Sequence, residues 1–177
     1  MRLSVFTDYS LRVLIQAALR HPNKVTIDEV ANAFGISRNH LIKVINKLGR
    51  AGFLVTQRGR SDGFMLARPA ERISILDVVR FGEEDQPLVE CFDAARNRCV
   101  ITPACKLKGM IAEANRAFFD VLGKYTIADA SANPEPLFRH LELTESCTCH
   151  AEIARLGSRR GPAPQPHLAC MRHLPLA

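Results

Sequence analysis

Two short helices joined by a three-residue turn constrain the fold of this chain more than any other feature. Thr26 and Glu29 have the spacing of a capping box, so a helix is predicted to begin at Thr26. Gly35 ends this helix, because glycine takes a left-handed conformation without a steric clash. Ser37 then caps a further helix that runs to about Ala51. This pattern is typical of a helix-turn-helix.

A strand-turn-strand pattern follows. Residues 53–58 form a strand-like run, a glycine-flanked basic turn spans 59–63, and a second run spans 64–66. Such a pattern predicts a β-hairpin. The expected fold is therefore mainly α with a small β-hairpin wing, that is, a winged helix-turn-helix.

Three more helices are predicted, two from apolar periodicity and one from a cap-like pattern at Ser74. The first runs from about Thr7 to Arg20, and a short one opens at Ser74 and continues to Phe81. A long helix from about Lys106 to Tyr125 carries apolar residues four and three positions apart, a heptad-like seam. We expect this seam to form the interface of a homodimer. The alternative is that the helix packs its apolar residues onto its own domain. The seam residues are Leu107, Ile111, Ala114, Phe118, Val121 and Tyr125.

Composition changes divide the chain into four parts. We expect a winged helix-turn-helix DNA-binding domain at 1–81, a cysteine-containing loop at 82–105, a dimerisation helix and following segment at 106–143, and a flexible tail at 144–177. No leader peptide or membrane-spanning stretch is evident in the sequence, so we expect a cytoplasmic protein that does not associate with a membrane.

Positive charge is concentrated at the N-terminal end. Residues 1–68 contain eleven Lys or Arg and four Asp or Glu, a net charge of +7, whereas the whole chain carries +6. This asymmetry predicts a polyanion-binding module, and the alternative is a solvated basic surface. No arrangement of nucleophile and base and no phosphate-cradling glycine loop is evident, so we do not expect an enzyme.

The start of the third helix has the residue types that read double-stranded DNA. Residues at the N-terminus of a recognition helix face base edges, where Arg pairs with guanine and Asn with adenine. Lysines further along the helix reach phosphates, and a basic wing tip enters the minor groove. The alternative is an exposed polar helix face. The predicted DNA-binding residues are Ser37, Arg38, Asn39, His40, Lys43, Lys47 and Arg60.

Three cysteines lie within fifteen residues. Cys91, Cys99 and Cys105 are separated by seven and five residues. Disulfides are disfavoured in the cytoplasm, so clustered cysteines indicate metal or redox chemistry. Their spacing is compatible with three interpretations: an iron–sulfur cluster, a zinc site or buried structural thiols.

Several stretches resemble one known family, the winged-helix iron–sulfur repressors of the Rrf-two type, and in particular its nitric-oxide-sensing branch. The resemblance covers about residues 1–143. The matching stretches are 1–3, 6–12, 37–41, 58–60, 101–108 and 125–129.

The resemblance implies a homodimeric repressor that binds a double-stranded DNA operator and responds to nitric oxide. It places Cys91, Cys99 and Cys105 on an iron–sulfur cluster, [2Fe-2S] or [4Fe-4S]. Asp8 matches the position from which the partner subunit completes the coordination in the nitric-oxide-sensing branch. Arg12, one helical turn further, is a candidate partner for Asp8 or for the cluster. The alternative for Asp8 is an ordinary acid in the first turn of a helix.

Two other functions stay open. The seven-residue gap between Cys91 and Cys99 resembles the iron-responsive, RirA-like branch of the same superfamily, whereas the recognition helix and residues 101–108 favour nitric oxide. A small electron carrier that uses a cluster without DNA is the third possibility. The tail adds residues that form either a second metal site or reactive surface groups: Cys147, Cys149, His150, His167, Cys170 and His173.

Overall fold

The computed structural model describes residues 3–57, 63–83 and 87–141. Contacts divide the chain into residues 1–143 and 144–177, and every described element belongs to the first unit. The helices and strands are α1 (Val5–Leu19), α2 (Ile27–Phe34), α3 (Arg38–Arg50), β1 (Leu54–Gln57), β2 (Gly63–Leu66), α4 (Ile75–Glu83), α5 (Lys106–Leu122), α6 (Ile127–Ala130) and α7 (Pro134–His140). Short 3₁₀ helices span Ala70–Arg72, Glu90–Phe92 and Thr102–Ala104.

The helix-turn-helix predicted from the sequence is present. Thr26 caps α2: its hydroxyl accepts from the Glu29 amide at 3.2 Å, and its own amide donates to Glu29 Oε2 at 2.6 Å. Gly35 ends α2 with a φ of 63°, a left-handed conformation that favours glycine. The Ser37 hydroxyl accepts from the His40 amide at 3.4 Å at the start of α3. Local capping therefore sets both ends of the turn.

The wing is a two-stranded antiparallel hairpin in which Leu54 lies opposite Leu66 and Gln57 opposite Gly63. Phe64 anchors it to the domain. Its side chain is buried, and its backbone exchanges two hydrogen bonds of 2.9 Å with Val25, just before α2. The mainly α fold with a hairpin wing is thus confirmed. The wing tip, with Arg60, lies outside the described residues.

The core lies among α1, α3, the hairpin and α4. The inward face of α3 is buried as its periodicity predicts, through Leu41, Val44, Ile45 and Leu48. Helix α6, which was not predicted from the sequence, adds the fully buried Ile127 to this core. A four-residue helix is too short to show periodicity. Its sequence signal is the capping box that Thr126 forms at its start.

The first helix begins at Val5, two residues before the predicted Thr7. Ser4 is its cap, because the Ser4 hydroxyl accepts from the Thr7 amide at 3.2 Å. The last helical residue of α4, Glu83, also holds this end of α1. Its Oε1 atom accepts from the Ser4 amide at 2.8 Å and from the Thr7 hydroxyl. We call these three residues, Ser4, Thr7 and Glu83, the α1–α4 clamp.

The clamp is tightly packed. A Cβ added at Gly82 would lie 2.1 Å from Thr7 Oγ1 and 3.2 Å from Thr7 Cα. Only a residue without a side chain permits this approach. Glu83 is partly buried, which raises the pKa of its carboxyl, but hydrogen bonds from Thr7 and Ser4 outweigh burial and lower the pKa below its usual 4.5.

This lowered pKa predicts a pH dependence of stability. A carboxyl with a depressed folded-state pKa stabilises the fold above its unfolded-state pKa, and this contribution is lost as pH falls through the folded-state value. Glu83→Gln keeps the Oε1 acceptor but does not titrate. We therefore expect the stability advantage of the wild type over Glu83→Gln to shrink from about pH 6 to about pH 3, as measured by urea unfolding. Curves that stay parallel over this range would contradict the assignment.

A second prediction concerns the core beneath the recognition helix. Leu41 is fully buried in α3, so Leu41→Ala should lower the free energy of unfolding by about 2–5 kcal/mol through lost burial and a residual cavity. Leu88→Ala is the matched control, because the Leu88 side chain is 42% exposed. Denaturant unfolding of both variants measures the difference, and equal effects would show that Leu41 does not belong to the core.

Candidate DNA-binding surface and cysteine segment

The outward side of α3 carries the residues predicted to contact DNA. All six of those within the described ranges are exposed, and the opposite side of the helix is buried. The six are Ser37, Arg38, Asn39, His40, Lys43 and Lys47. The side chains of Leu41 and Leu48 fix the rotation of α3 by filling the core. The exposed polar side chains are therefore presented from a rigid support.

An acid on α2 pairs with the first residue of α3. The Arg38 Nη1 atom donates to Asp28 Oδ1, with both side chains more than half exposed. Asp28 lies in the first turn of α2. The pair lies across the turn of the helix-turn-helix, and only the relative placement of the two helices brings it together. An exposed pair stabilises the fold little, but it restricts where the guanidinium points.

The N-terminal half of α1 contacts the recognition helix directly. The Tyr9 and His40 rings have centroids 6.4 Å apart. The Lys47 ammonium lies 4.9 Å from the centroid of the Phe6 ring, a cation–π distance. These aromatic partners of α3 were not found from the sequence, where Phe6 and Tyr9 are simply apolar residues near the start of a helix.

Asp8 and Arg12 form an ion pair on the same helix. Arg12 Nε lies 3.1 Å from Asp8 Oδ1, and Nη2 lies 2.8 Å from Oδ2, so the pairing is bidentate. Both side chains are close to half exposed. The Arg12 guanidinium also lies 5.7 Å from the ring centroid of Phe34 on α2. The pairing that the sequence suggested for Arg12 is therefore present, and it orients the Asp8 carboxylate.

The three central cysteines lie on one segment and form no disulfides. Cys91 is in the 3₁₀ helix Glu90–Phe92 and is partly buried, Cys99 is exposed, and Cys105 immediately precedes α5 and is partly buried. The backbone around Cys99 is held on both sides. Its amide donates to Asn97 Oδ1 at 3.1 Å, and its carbonyl accepts from the Thr102 hydroxyl at 2.8 Å.

The donors on this segment fit an iron–sulfur cluster in their chemistry, because thiolates are the usual ligands of such clusters. Three thiolates and one further ligand would also suit zinc. Across the described ranges, 3–57, 63–83 and 87–141, no three His, Cys, Asp or Glu side chains converge into a metal-binding group. Within these ranges the structure therefore places the three cysteines on one segment but does not bring their side chains together. The cysteines and histidines of the tail lie outside the described residues.

Helix α5 has no buried residue and leaves much of its apolar seam exposed. The exposed fractions are 58% for Leu107 and 49% for Val121. The helix ends at Leu122, so Tyr125, which was predicted as its last residue and is also 49% exposed, lies beyond it. The contact of α5 with α4 is limited, and it includes the Arg80 guanidinium 5.7 Å from the Phe119 ring centroid. The seam is therefore largely left uncovered by its own domain.

Among the helices that the structure describes, none is both long and apolar enough to cross a membrane.

Comparison with known proteins identifies close relatives. Residues 3–133 match Rrf2, described as an iron-dependent transcriptional regulator. The chain is 46% identical over 146 residues to the HTH-type transcriptional regulator NsrR of Bacillus subtilis, covering 82% of this chain and 100% of that protein. It is 45% identical over 138 residues to the regulator of the same name from Oceanobacillus iheyensis, covering 77% and 94%.

Solved structures share the fold. CymR of Staphylococcus aureus in its oxidised form aligns with a TM-score of 0.59 at 24% identity, over 74% of this chain and 96% of that one. IscR of T. potens aligns with a TM-score of 0.60 at 22% identity, over 77% and 90%. The chain therefore belongs to the Rrf2 family of DNA-binding transcriptional regulators, among which it is of the NsrR type, and it is not an enzyme.

Proposed function

We propose that this chain is a cytoplasmic, homodimeric repressor whose affinity for its operator depends on an iron–sulfur cluster, [2Fe-2S] or [4Fe-4S], held by Cys91, Cys99 and Cys105. The observation that carries the proposal is the position of these three unpaired thiols. They lie on a single fifteen-residue segment between the winged helix-turn-helix and the exposed helix α5. Thiolates grouped in this way are suited to iron–sulfur clusters.

Asp8 of the partner subunit is the fourth ligand in this proposal. Three thiolates leave one coordination position to be filled by another group. An oxygen ligand is harder than thiolate and bonds iron less strongly, and a cluster bound in this way supplies a site open to small ligands. Arg12, which holds Asp8 in a bidentate pair, then sets the direction of the carboxylate and competes with iron for it.

Dimerisation through α5 follows from its exposed seam. Exposed apolar side chains at Leu107 and Val121, with half-buried Ile111 and Phe118 between them, mark an interaction surface, and the heptad-like spacing suits a second helix. A symmetric dimer also explains how Asp8 on one chain meets cysteines on the other. Two-fold symmetry presents two α3 helices, which favours a roughly palindromic operator with half-sites one or more helical turns apart.

Nitric oxide is the signal that the resemblance favours, through the recognition-helix start and residues 101–108. Asp8 and the three cysteines would hold a cluster that nitric oxide can attack, and loss of the Asp8 bond would then lower operator affinity. Genes that detoxify nitric oxide are then expressed. The gap between Cys91 and Cys99 favours the second candidate, a regulator of the same fold that responds to iron or cluster supply.

The outward side chains of α3 read the operator in this proposal, with Arg38 and Asn39 on base edges and Lys43 and Lys47 on phosphates. Arg60 in the wing is the proposed minor-groove contact. Asp28 belongs to the same surface, because it faces the Arg38 guanidinium.

Arg38→Ala should weaken operator binding by about 1–3 kcal/mol and relax base preference at one position. Asp28→Asn removes the ion pair and a negative charge near the phosphates, so it should strengthen binding to non-specific DNA. Fluorescence anisotropy with an operator and a scrambled duplex measures both effects. Weakening of Arg38→Ala that is equal on the two duplexes would instead make Arg38 a phosphate contact.

Anaerobic purification followed by iron and sulfide analysis tests the cluster, and operator binding during stepwise addition of nitric oxide tests the signal. We expect a coloured protein that loses its cluster absorbance and its operator affinity together. Cys99→Ala should abolish the chromophore, and Asp8→Ala should retain colour but change the response to nitric oxide. Cys170→Ala, from the tail, is the matched cysteine control and should behave as the wild type.

Other outcomes identify the alternatives. A coloured protein whose operator binding ignores nitric oxide but follows iron chelation is the iron-responsive regulator. A colourless protein that contains zinc would contradict the assignment of an iron–sulfur cluster. A repressor must also lose DNA affinity steeply as salt rises, and a coloured protein without such binding is an electron carrier.

A further inference from the structure

We propose that the α1–α4 clamp couples the cysteine segment to the recognition helix within one subunit, with Glu83 as a positioning residue for DNA binding. This inference rests on the proposed cluster-dependent function and adds a route inside the chain. It starts from the position of Glu83, the last residue of α4 and eight positions before Cys91. Seven residues separate Glu83 from Cys91 in the sequence, so Glu83 is the residue of α4 at which the proposed route from the cysteine segment begins.

The clamp passes displacement from α4 to α1. Glu83 Oε1 holds both the Ser4 amide, at 2.8 Å, and the Thr7 hydroxyl, and the Ser4 hydroxyl lies 3.4 Å from the Gly82 carbonyl oxygen. Gly82 approaches Thr7 so closely that a Cβ at position 82 would lie 2.1 Å from Thr7 Oγ1, so the two helices are in direct contact here. Phe81, one residue earlier, packs edge-on against Phe6 with ring centroids 5.8 Å apart. Three consecutive residues of α4 thus contact the first turns of α1.

The same turns of α1 contact the DNA-reading face. The Lys47 Nζ atom lies 4.9 Å from the centroid of the Phe6 ring, and the ring centroids of Tyr9 and His40 are 6.4 Å apart. Both partners on α3 belong to the proposed operator contacts. A rotation or shift of α1 therefore moves the surroundings of two side chains that bind DNA, without unfolding α3.

Asp8 lies within these turns, between the clamp residue Thr7 and the α3 contact Tyr9. The clamp consequently determines where one subunit presents Asp8 to its partner. If Glu83 releases Ser4 and Thr7, the first turn of α1 loses its tie to α4, and Asp8, Lys47 and His40 lose their common support. The clamp thus makes the position of Asp8 depend on the positions of Lys47 and His40. A change at one of these sites then changes the binding free energy at the other, which is what coupling between two sites means.

The test uses matched variants of the full-length protein. Glu83→Ala removes the acceptor, and Thr7→Val removes the donor at nearly constant volume. Glu83→Gln keeps Oε1 as an acceptor and serves as the conservative rescue. Glu71→Ala removes an exposed glutamate outside the clamp. The first readout is the ratio of operator Kd values between cluster-free and cluster-loaded protein.

We expect Glu83→Ala and Thr7→Val to reduce this ratio by about five-fold or more, the lower end of usual coupling between sites. Glu83→Gln and Glu71→Ala should keep the wild-type ratio. A lower melting temperature with an unchanged ratio in both Glu83→Ala and Thr7→Val would overturn the inference, because the clamp would then only stabilise the fold. Thr7→Val decides the matter if Glu83→Ala does not fold.

A second readout needs no cluster. Amide hydrogen exchange on cluster-free protein should rise across residues 3–12 and also across residues 38–50 in Thr7→Val, and not in Glu71→Ala. Faster exchange confined to residues 3–12 would overturn the inference. A wild-type ratio of one would instead contradict the cluster-dependent function, and the exchange measurement would still decide whether α4 is coupled to α3.

Discussion

The packing of the first turns of α1 between α3 and α4 is the constraint on which the rest of the structure depends. One side of these turns is tied to α4 by the Glu83 carboxylate and by the close approach of Gly82. The other side supports His40 and Lys47 through aromatic rings. The contacts with α4 combine directional hydrogen bonds and a glycine-dependent approach with the edge-on packing of Phe6 against Phe81. They leave few alternative arrangements of the two helices, unlike a purely apolar contact, which tolerates sliding.

Local chemistry explains which parts of the fold are visible in the sequence. The capping residues Thr26 and Ser37 and the glycine at position 35 act over three or four residues, so α2, α3 and the turn were predicted with nearly correct bounds. Helix α6 was missed because its stability comes from burying Ile127 in a core assembled from distant elements. Its own sequence is too short to show a helical period.

The residues of the candidate sites also fall into those that local sequence reveals and those that only the folded structure reveals. The residue types on α3 and the cysteine spacing could be read directly from the sequence, as could the one-turn separation of Asp8 and Arg12. The roles of Asp28 and Glu83 could not, because their partners are ten and seventy-six or more residues away. Such pairs exist only after the helices have packed, and sequence spacing carries no signal for them.

The segment between α4 and α6 begins and ends on the same helix. It leaves at Glu83, and it returns where the Ile75 amide donates to the Tyr125 carbonyl at 3.0 Å. Both ends of this segment therefore lie on α4, and the segment can be regarded as a long insertion attached to the core. Each doubling of a flexible loop costs only about 0.6 kcal/mol of closure entropy. The spacing among Cys91, Cys99 and Cys105 can thus change at little cost in free energy to the winged helix-turn-helix.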